Sequence, residues 1–494
     1  MDSTTSITRN GNLTMFGLLI RKEILDNLLN ARFMAASILT VMIVVSSVIV
    51  LSARQRAEIR DYQNRVITQD EFISRYGHLN RTGWMARPLR GPSRYGPLVL
   101  GLDHEVQEEN FASNPLPVLF SRLDLVAIVT IIMSLMAILF SYNALSGERE
   151  AGLLKLMLST SLSRGTLVIG KFIGGSLSLA VPFTVGILVG LVTMSLQPDL
   201  SLHASDTPVF IALVCAAYIY TSAFYALGLL CSGTSQTSGV AVLKSLFAWV
   251  LLVLVIPNIS PFLAARIYRI PSKAKVDQEV WSIQGEERDK IVGQRTQQML
   301  ASTYHDIGGT VKDLGAIAGN SESRIAERAN TDPAFRERYN QFRKDWLDMV
   351  DKVNAEQAIR IKKVQEEFMV RSQYQEKLAG VFASLSPLTN FVFLATDLTE
   401  SGIMAEKRWD DQVERYYGSL DPYLRGKYKK EIEKDPALTV NDYLDLSDRP
   451  RMRYQPTGMA ERMALILPQL GALVLFNILF LGGALLSFRS YDVR

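Results

Sequence analysis

The chain has 494 residues, 48% hydrophobic and 21% charged, with a formal net charge of +4. So small an excess gives no concentrated basic face, which excludes nucleic-acid binding as a class. The two cysteines, Cys215 and Cys231, share one apolar run, and His78, His104, His203 and His305 are scattered without paired spacing, which excludes a disulfide framework and a metal site.

The apolar residues are gathered into uncharged blocks, the pattern of an integral membrane protein with a large water-facing part. Residues 1–33 begin as a polar arm and continue as a helix. Phe16, Ile20, Ile24 and Leu28 lie on one side, with Arg21, Lys22, Glu23 and Asp26 on the other. That pattern fits a helix lying in the membrane interface, and equally the start of an ordinary solvated helix. Residues 34–52 carry no charge and form span one. The arm before them is longer than a signal-peptide n-region, so the helix is read as retained. Residues 53–124 are polar, rich in Arg, Gly and Pro between 87 and 96, and are taken as an extracytoplasmic segment. Their arginines read as solvated surface rather than a ligand face.

Residues 125–146 form span two, and the charged loop 147–171 follows, reading GEREAGLLKLMLSTSLSRGTLVIGK. Arg149, Lys155, Arg164 and Lys171 outnumber Glu148 and Glu150, which points this loop to the cytoplasm. A short helix is expected over 148–158, closed by Ser159 and Thr160. Residues 172–265 hold spans three to five. Gly170, Gly174 and Gly175, with Ser176 and Ser178, allow close helix approach at the start of the third, which also contains Pro182. The loop 197–208 carries Asp199 and Asp206 and neither Lys nor Arg, an outside signature. The uncharged stretch 207–243 is too long for one span, and Ser232 to Ser238 break it with turn chemistry.

Residues 266–461 read as one large helical extracytoplasmic domain. Asp332-Pro333 starts a helix, with Asp as N-cap and Pro at the first helical position. Phe335, Tyr339, Phe342, Trp346, Met349 and Val353 then form a seam that needs a partner helix, for which 276–299 is the candidate. Asp345, Asp348 and Asp351 read as a solvated helix face. The uncharged stretch 378–396 contains Ser386-Pro387 and is read as a helix end with a re-entrant segment. Residues 462–488 are span six, and 489–494 a cytoplasmic tail with Arg489 and Arg494.

Gly147-Glu148-Arg149-Glu150-Ala151-Gly152, an apolar helix, Ser163-Arg164 and Gly170-Lys171 fall in that order between two spans. This arrangement resembles the cytoplasmic loop of type-2 permeases of ATP-binding-cassette (ABC) transporters, with Leu153 where that family usually has Thr and Ser161 where it often has Pro. The resemblance implies that residues 13–33 are an elbow helix. It makes the loop a coupling helix, with Glu148, Arg149, Glu150, Gly152, Leu153, Leu154 and Lys155 as contacts for a separate cytoplasmic ABC ATPase. It further implies a second permease copy or a homologous permease, and ATP and Mg in the ATPase partner. This chain itself is expected to bind no cofactor. Gly165 to Lys171 fits a P-loop up to its last position, where Phe172 supplies no hydroxyl for Mg²⁺ and no strand precedes, so nucleotide binding is rejected here.

The expected protein is therefore an all-α membrane protein of about six transmembrane helices. It is multi-pass in the cell membrane, N- and C-termini cytoplasmic, and acts as the permease of an exporter with no enzyme chemistry of its own. The rival reading is a membrane-anchored binding or scaffold protein that works through its extracytoplasmic domain. An intramembrane enzyme is the weakest reading, because the spans lack paired ionisable residues.

Overall fold

A computed structural model describes residues 3–78, 82, 85–101, 123–158, 163–196, 203–305, 307, 332–434 and 443–489. It has two compact units, Met1–Asn258 with Ala383–Arg494, and Ile259–Phe382. In chain order the helices are α1 (Ser3–Leu28), α2 (Ala31–Tyr76), α3 (Ser134–Ser141), α4 (Ser146–Glu150), α5 (Leu153–Leu158), α6 (Arg164–Ser195), α7 (Thr207–Gly233) and α8 (Ser238–Trp249). There follow α9 (Ile256–Ile267), α10 (Lys273–Ser282), α11 (Arg288–Ser302), α12 (Pro333–Ala383), α13 (Pro387–Leu398), α14 (Ile403–Lys434) and α15 (Met459–Arg489). No strand occurs among the described residues.

Six helices are long and apolar enough to cross a membrane: Ala31–Tyr76, Leu125–Glu150, Arg164–Ser195, Thr207–Gly233, Ser238–Ile267 and Met459–Arg489. In the first unit α7 is the central element, packed against α15, α3, α6, α8 and α13. Its Tyr220, Phe224 and Tyr225 are fully buried. The second span enters through Leu125–Ala127 and a π-helical turn, Ile128–Met133, before α3. At that turn the Tyr220 hydroxyl donates to the Thr130 carbonyl at 2.9 Å, and Trp249 Nε1 donates to Ser134 Oγ at 2.8 Å. These are bonds a bilayer core requires of any polar group it surrounds.

α2 runs on into the segment 53–124 expected to be extracytoplasmic. Its 46 residues span roughly 69 Å at 1.5 Å per residue, about twice a hydrocarbon core. The helix continues past the apolar block because no Gly or Pro interrupts it before Gly77 and because i, i+4 pairs such as Arg54 with Glu58 suit an exposed helix. Beyond the apolar block Ile73 joins Met85 and Ala86 against Tyr416, Leu420, Leu424, Leu444 and Leu446 in a second core. Leu444 N–H donates to the Gly77 carbonyl at 2.9 Å.

This second core corrects the single domain expected over 266–461. Residues Ala383 onward belong with the first unit, because α14 and the strap after it bury their apolar residues on α2. The change of unit falls between Phe382 and Ala383, just before the Ser386-Pro387 break. Ser386 N-caps α13 through its side chain, which accepts from Leu388 N–H at 3.1 Å. The twelve residues of α13 reach roughly 18 Å, too short to cross, and its Phe391, Leu394 and Leu398 are buried.

The second unit is a small helical body. Its α11 and α12 run side by side, joined by Trp346 Nε1 to Thr296 Oγ1 at 3.1 Å and Arg295 to Glu356 at 2.9 Å, and Arg360 of α12 also pairs with Glu287, just before α11, at 2.7 Å. Tyr304, Ile307, Phe335 and Phe342 form its core. Asp345 departs from the expected solvated face: it accepts from the Tyr304 hydroxyl and, at 3.0 Å, from Gln341.

Candidate functional site

The loop between the second and third candidate spans is built differently from the single helix expected over 148–158. α4 stops at Glu150, Gly152 takes φ +72°, and α5 restarts at Leu153. A left-handed residue cannot continue a right-handed helix, and glycine adopts it without a Cβ penalty. Ser159, Thr160 and Ser161 lie outside the described residues. The next helix begins where Ser163 N-caps α6, its side chain accepting from Thr166 N–H at 3.1 Å.

The three charged residues of α4 each tie the loop to a different helix. Glu148 Oε1 accepts from Lys171 Nζ of α6 at 2.7 Å, and the same Nζ reaches Glu23 Oε1 of α1 at 2.7 Å. The Lys171 side chain is 3% exposed, so one buried cation holds two carboxylates from different elements. Glu148 Oε2 is buried with no hydrogen-bond partner among the described residues. Arg149 donates to the carbonyls of Ser235, at 2.5 Å, and Gly233, at 3.3 Å, at the C-terminus of α7. A cation there satisfies carbonyls that the helix leaves unpaired and complements its dipole. Glu150 accepts from the Ser238 N–H at 3.0 Å and from the Ser238 hydroxyl at 2.6 Å, capping the N-terminus of α8. Beneath them Ser232 Oγ accepts the N–H of Leu145 at 3.0 Å and of Ser146 at 2.9 Å.

Of the seven residues expected to face a partner, Glu148 and Arg149 are partly buried in these contacts, whereas Glu150 stays exposed while it bonds Ser238. Leu154 is 1% exposed and joins the core, whereas Leu153 is 51% exposed. Gly152 has open space around its Cα, and the side chain of Lys155 lies outside the description. Leu156, which the sequence did not single out, is 68% exposed. Lys171 was read only as a loop charge and the end of the P-loop decoy, and Glu23 only as part of a polar face. Both are buried because Gly170 and Gly174 let α1 close on α6. A Cβ at Gly174 would sit 2.7 Å from Glu23 Cβ and 3.1 Å from the Ile20 carbonyl oxygen. Leu18, Leu25 and Leu29 stay exposed, so α1 and the turn after it carry apolar surface away from this contact.

Among the described residues no group of three or more His, Cys, Asp or Glu could hold a metal ion. What the arrangement supplies is mechanical: a short bent segment fastened to α6, α7 and α8, with two leucines facing outward.

Comparison with known proteins places this geometry. A family model described as ABC-2 family transporter protein matches residues 18–402. A protein described as a probable ABC transporter permease, NosY, from Pseudomonas aeruginosa is 40% identical over 76 residues, 15% of this chain and 28% of that protein. NosY of Stutzerimonas stutzeri, likewise described, is 42% identical over 62 residues, 13% of this chain and 22% of that protein. The chain thus spans about a quarter of the length of these curated relatives.

Proposed function

The chain belongs to the ABC-2 transporter family, and from that premise we propose that it is the permease subunit of an ABC exporter, worked by ATP hydrolysed on a separate cytoplasmic ATPase. The observation that carries this reading is the fastening of α4 to three helices, α6, α7 and α8, while Leu153 and Leu156 face outward. A force applied at α5 reaches α6 through Lys171, α7 through Arg149 and α8 through Glu150. A loose loop would absorb such a displacement; a bonded one transmits it. The exposed leucines, and not the three charged side chains, are the ATPase contact in this reading. A second permease copy or a homologous permease completes the transporter. The side of the membrane that holds this loop is the cytoplasm, by its excess of Arg and Lys.

The test is co-purification from mild detergent. Leu153→Glu with Leu156→Glu places charge in the apolar contact without touching the internal bonds. The double variant should reach the membrane in normal amount and lose its ATPase, with transport-linked ATP hydrolysis lost as well. Retention of the ATPase at full strength moves the docking site elsewhere. If the wild type holds no ATPase either, the permease reading gives way to a membrane-anchored binding protein.

A further inference from the structure

At the end of α7 opposite the α4 loop, a cavity of about 470 Å³ lies within the first unit. Its size falls in the range of small-molecule sites. Four segments build it. α2 presents Tyr62, Val66, Gln69, Asp70 and Ile73, which recur at helical spacing on one face. Residues 86–92 form the second wall, Trp409 and Tyr416 of α14 the third, and the strap 449–454 the fourth.

The walls are fixed in place. Gln69 Nε2 donates to the carbonyls of Met85 at 2.7 Å and Arg87 at 2.8 Å, which pins the second wall to α2. Asp70 holds the strap: it pairs with Arg449, whose side chain is 5% exposed, and with Arg451 at 3.1 Å. Trp409 packs on the Tyr454 ring at 5.8 Å and under the Arg90 guanidinium at 5.8 Å. These bonds fix the walls to one another from within the protein, which lowers the ordering cost of binding.

Its charge is one-sided. Arg87, Arg449, Arg451 and Arg453 line it, against Asp70 as the one carboxylate among the described lining residues. No lysine lines it. Guanidinium forks match the oxygens of phosphates and carboxylates two at a time. A dianionic phosphate answers this excess of positive charge better than a single carboxylate. We propose that this cavity binds an organic phosphate, its oxygens on Arg451 and Arg453 and its carbon skeleton against Tyr62 and Trp409. The phosphate belongs either to a soluble ester or to a phospholipid headgroup. The proposal does not rest on the ATPase reading and survives or fails apart from it.

The experiment measures the thermal unfolding midpoint of the full-length protein in a neutral detergent, since a ligand that binds only the native state raises it. The probes are glycerol 3-phosphate, with glycerol as control, and phosphatidic acid, whose headgroup is a phosphomonoester, with diacylglycerol as control. Glycerol 3-phosphate or phosphatidic acid should raise the midpoint with concentration while its control does not. A response to the soluble ester names the free ligand as source, and a response to the lipid alone names the headgroup. Arg451→Gln with Arg453→Gln should weaken the apparent affinity by roughly tenfold or more, the cost of lost charge-assisted hydrogen bonds. Both side chains are exposed, and the buried Arg449 that pairs with Asp70 stays in place to hold the strap. Arg75→Gln, which removes one exposed positive charge from α2 away from the cavity, should leave the affinity unchanged. The proposal is overturned if neither phosphate probe exceeds its control, or if the double variant responds as the wild type does.

Discussion

Lys171 Nζ stands 2.7 Å from Glu148 Oε1 in a site where the lysine side chain is 3% exposed and the glutamate 18%. The same ammonium holds Glu23 at 2.7 Å. Removing the cation leaves two carboxylates facing each other out of water. Breaking a buried pair by deleting one partner costs about 3–5 kcal/mol, much of it the penalty of the charge left behind. Lys171→Met should therefore lower the unfolding midpoint in detergent substantially. Adding Glu23→Gln and Glu148→Gln should recover most of the loss, because the triple variant buries no unpaired charge. If the triple variant is as unstable as Lys171→Met alone, packing around Lys171, and not its charge, is what matters.

The six candidate spans could be read from the sequence because each is an uncharged block about as long as a bilayer is thick. The loop could be placed because Glu148 to Lys171 lie between two such blocks. The bonds of its side chains could not, since Lys171 finds Glu23 across 148 positions only after Gly174 has brought α1 against α6. The extension of α2 was hidden for another reason. Its apolar residues beyond Arg54 are sparse, so no continuous stripe marks the helix, and Ile73 finds its partners in Leu420 and Leu446, far along the chain. The return of residues 383–461 to the first unit depends on that same contact. Ser386-Pro387 marked the break locally but not where the chain went after it.

Gly152 has φ +72°, and nothing lies within 4 Å of where a Cβ would be. A substitution there meets backbone strain and no clash. Gly152→Ala should cost about 1–2 kcal/mol, the penalty of the left-handed conformation for an L-residue. Gly152→Asn should cost less, because Asn tolerates that region. Limited proteolysis of the loop reads the difference, with cleavage fastest in Gly152→Ala. Equal protection in all three proteins would show that the bend between α4 and α5 does not depend on this residue.

The strap that walls the cavity has its own acid sensitivity. The Tyr423 hydroxyl, and then Lys427 at 2.9 Å, bond to Asp448 and hold its carboxyl below the usual carboxylate range. A depressed folded pKa contributes stability that is present above the unfolded value of about 3.9 and is lost as pH falls through the folded pKa. Hydrogen-exchange protection of the segment 443–457 should thus fall on acidification below about pH 4. Asp448→Asn should lower that protection at pH 7 and remove its acid dependence. An unchanged acid response in the variant would assign the effect to another carboxylate.

The charges around α7 fix a prediction for orientation. Its 27 residues are roughly 40 Å long, enough to carry its two ends to opposite faces of a hydrocarbon core. At one end Asp206 pairs with Arg94 at 2.8 Å and accepts from the Tyr95 hydroxyl at 3.0 Å, beside the loop that carries no Lys or Arg between 197 and 208. At the other, the Gly233 carbonyl accepts from Arg149 in the loop rich in Arg and Lys. The positive-inside rule predicts that the Arg149 end is cytoplasmic. Native Cys215 and Cys231 are first replaced by Ser and Ala, so that an introduced thiol is the only one. His203→Cys and Leu156→Cys then report the two ends from exposed positions. An impermeant thiol reagent added to intact cells should label Cys at 203 and leave Cys at 156 untouched until the membrane is opened. The reverse pattern would invert the protein, place α5 outside, and remove the cytoplasmic surface on which the ATPase reading depends. Labelling of both positions in intact cells would show that α7 does not cross.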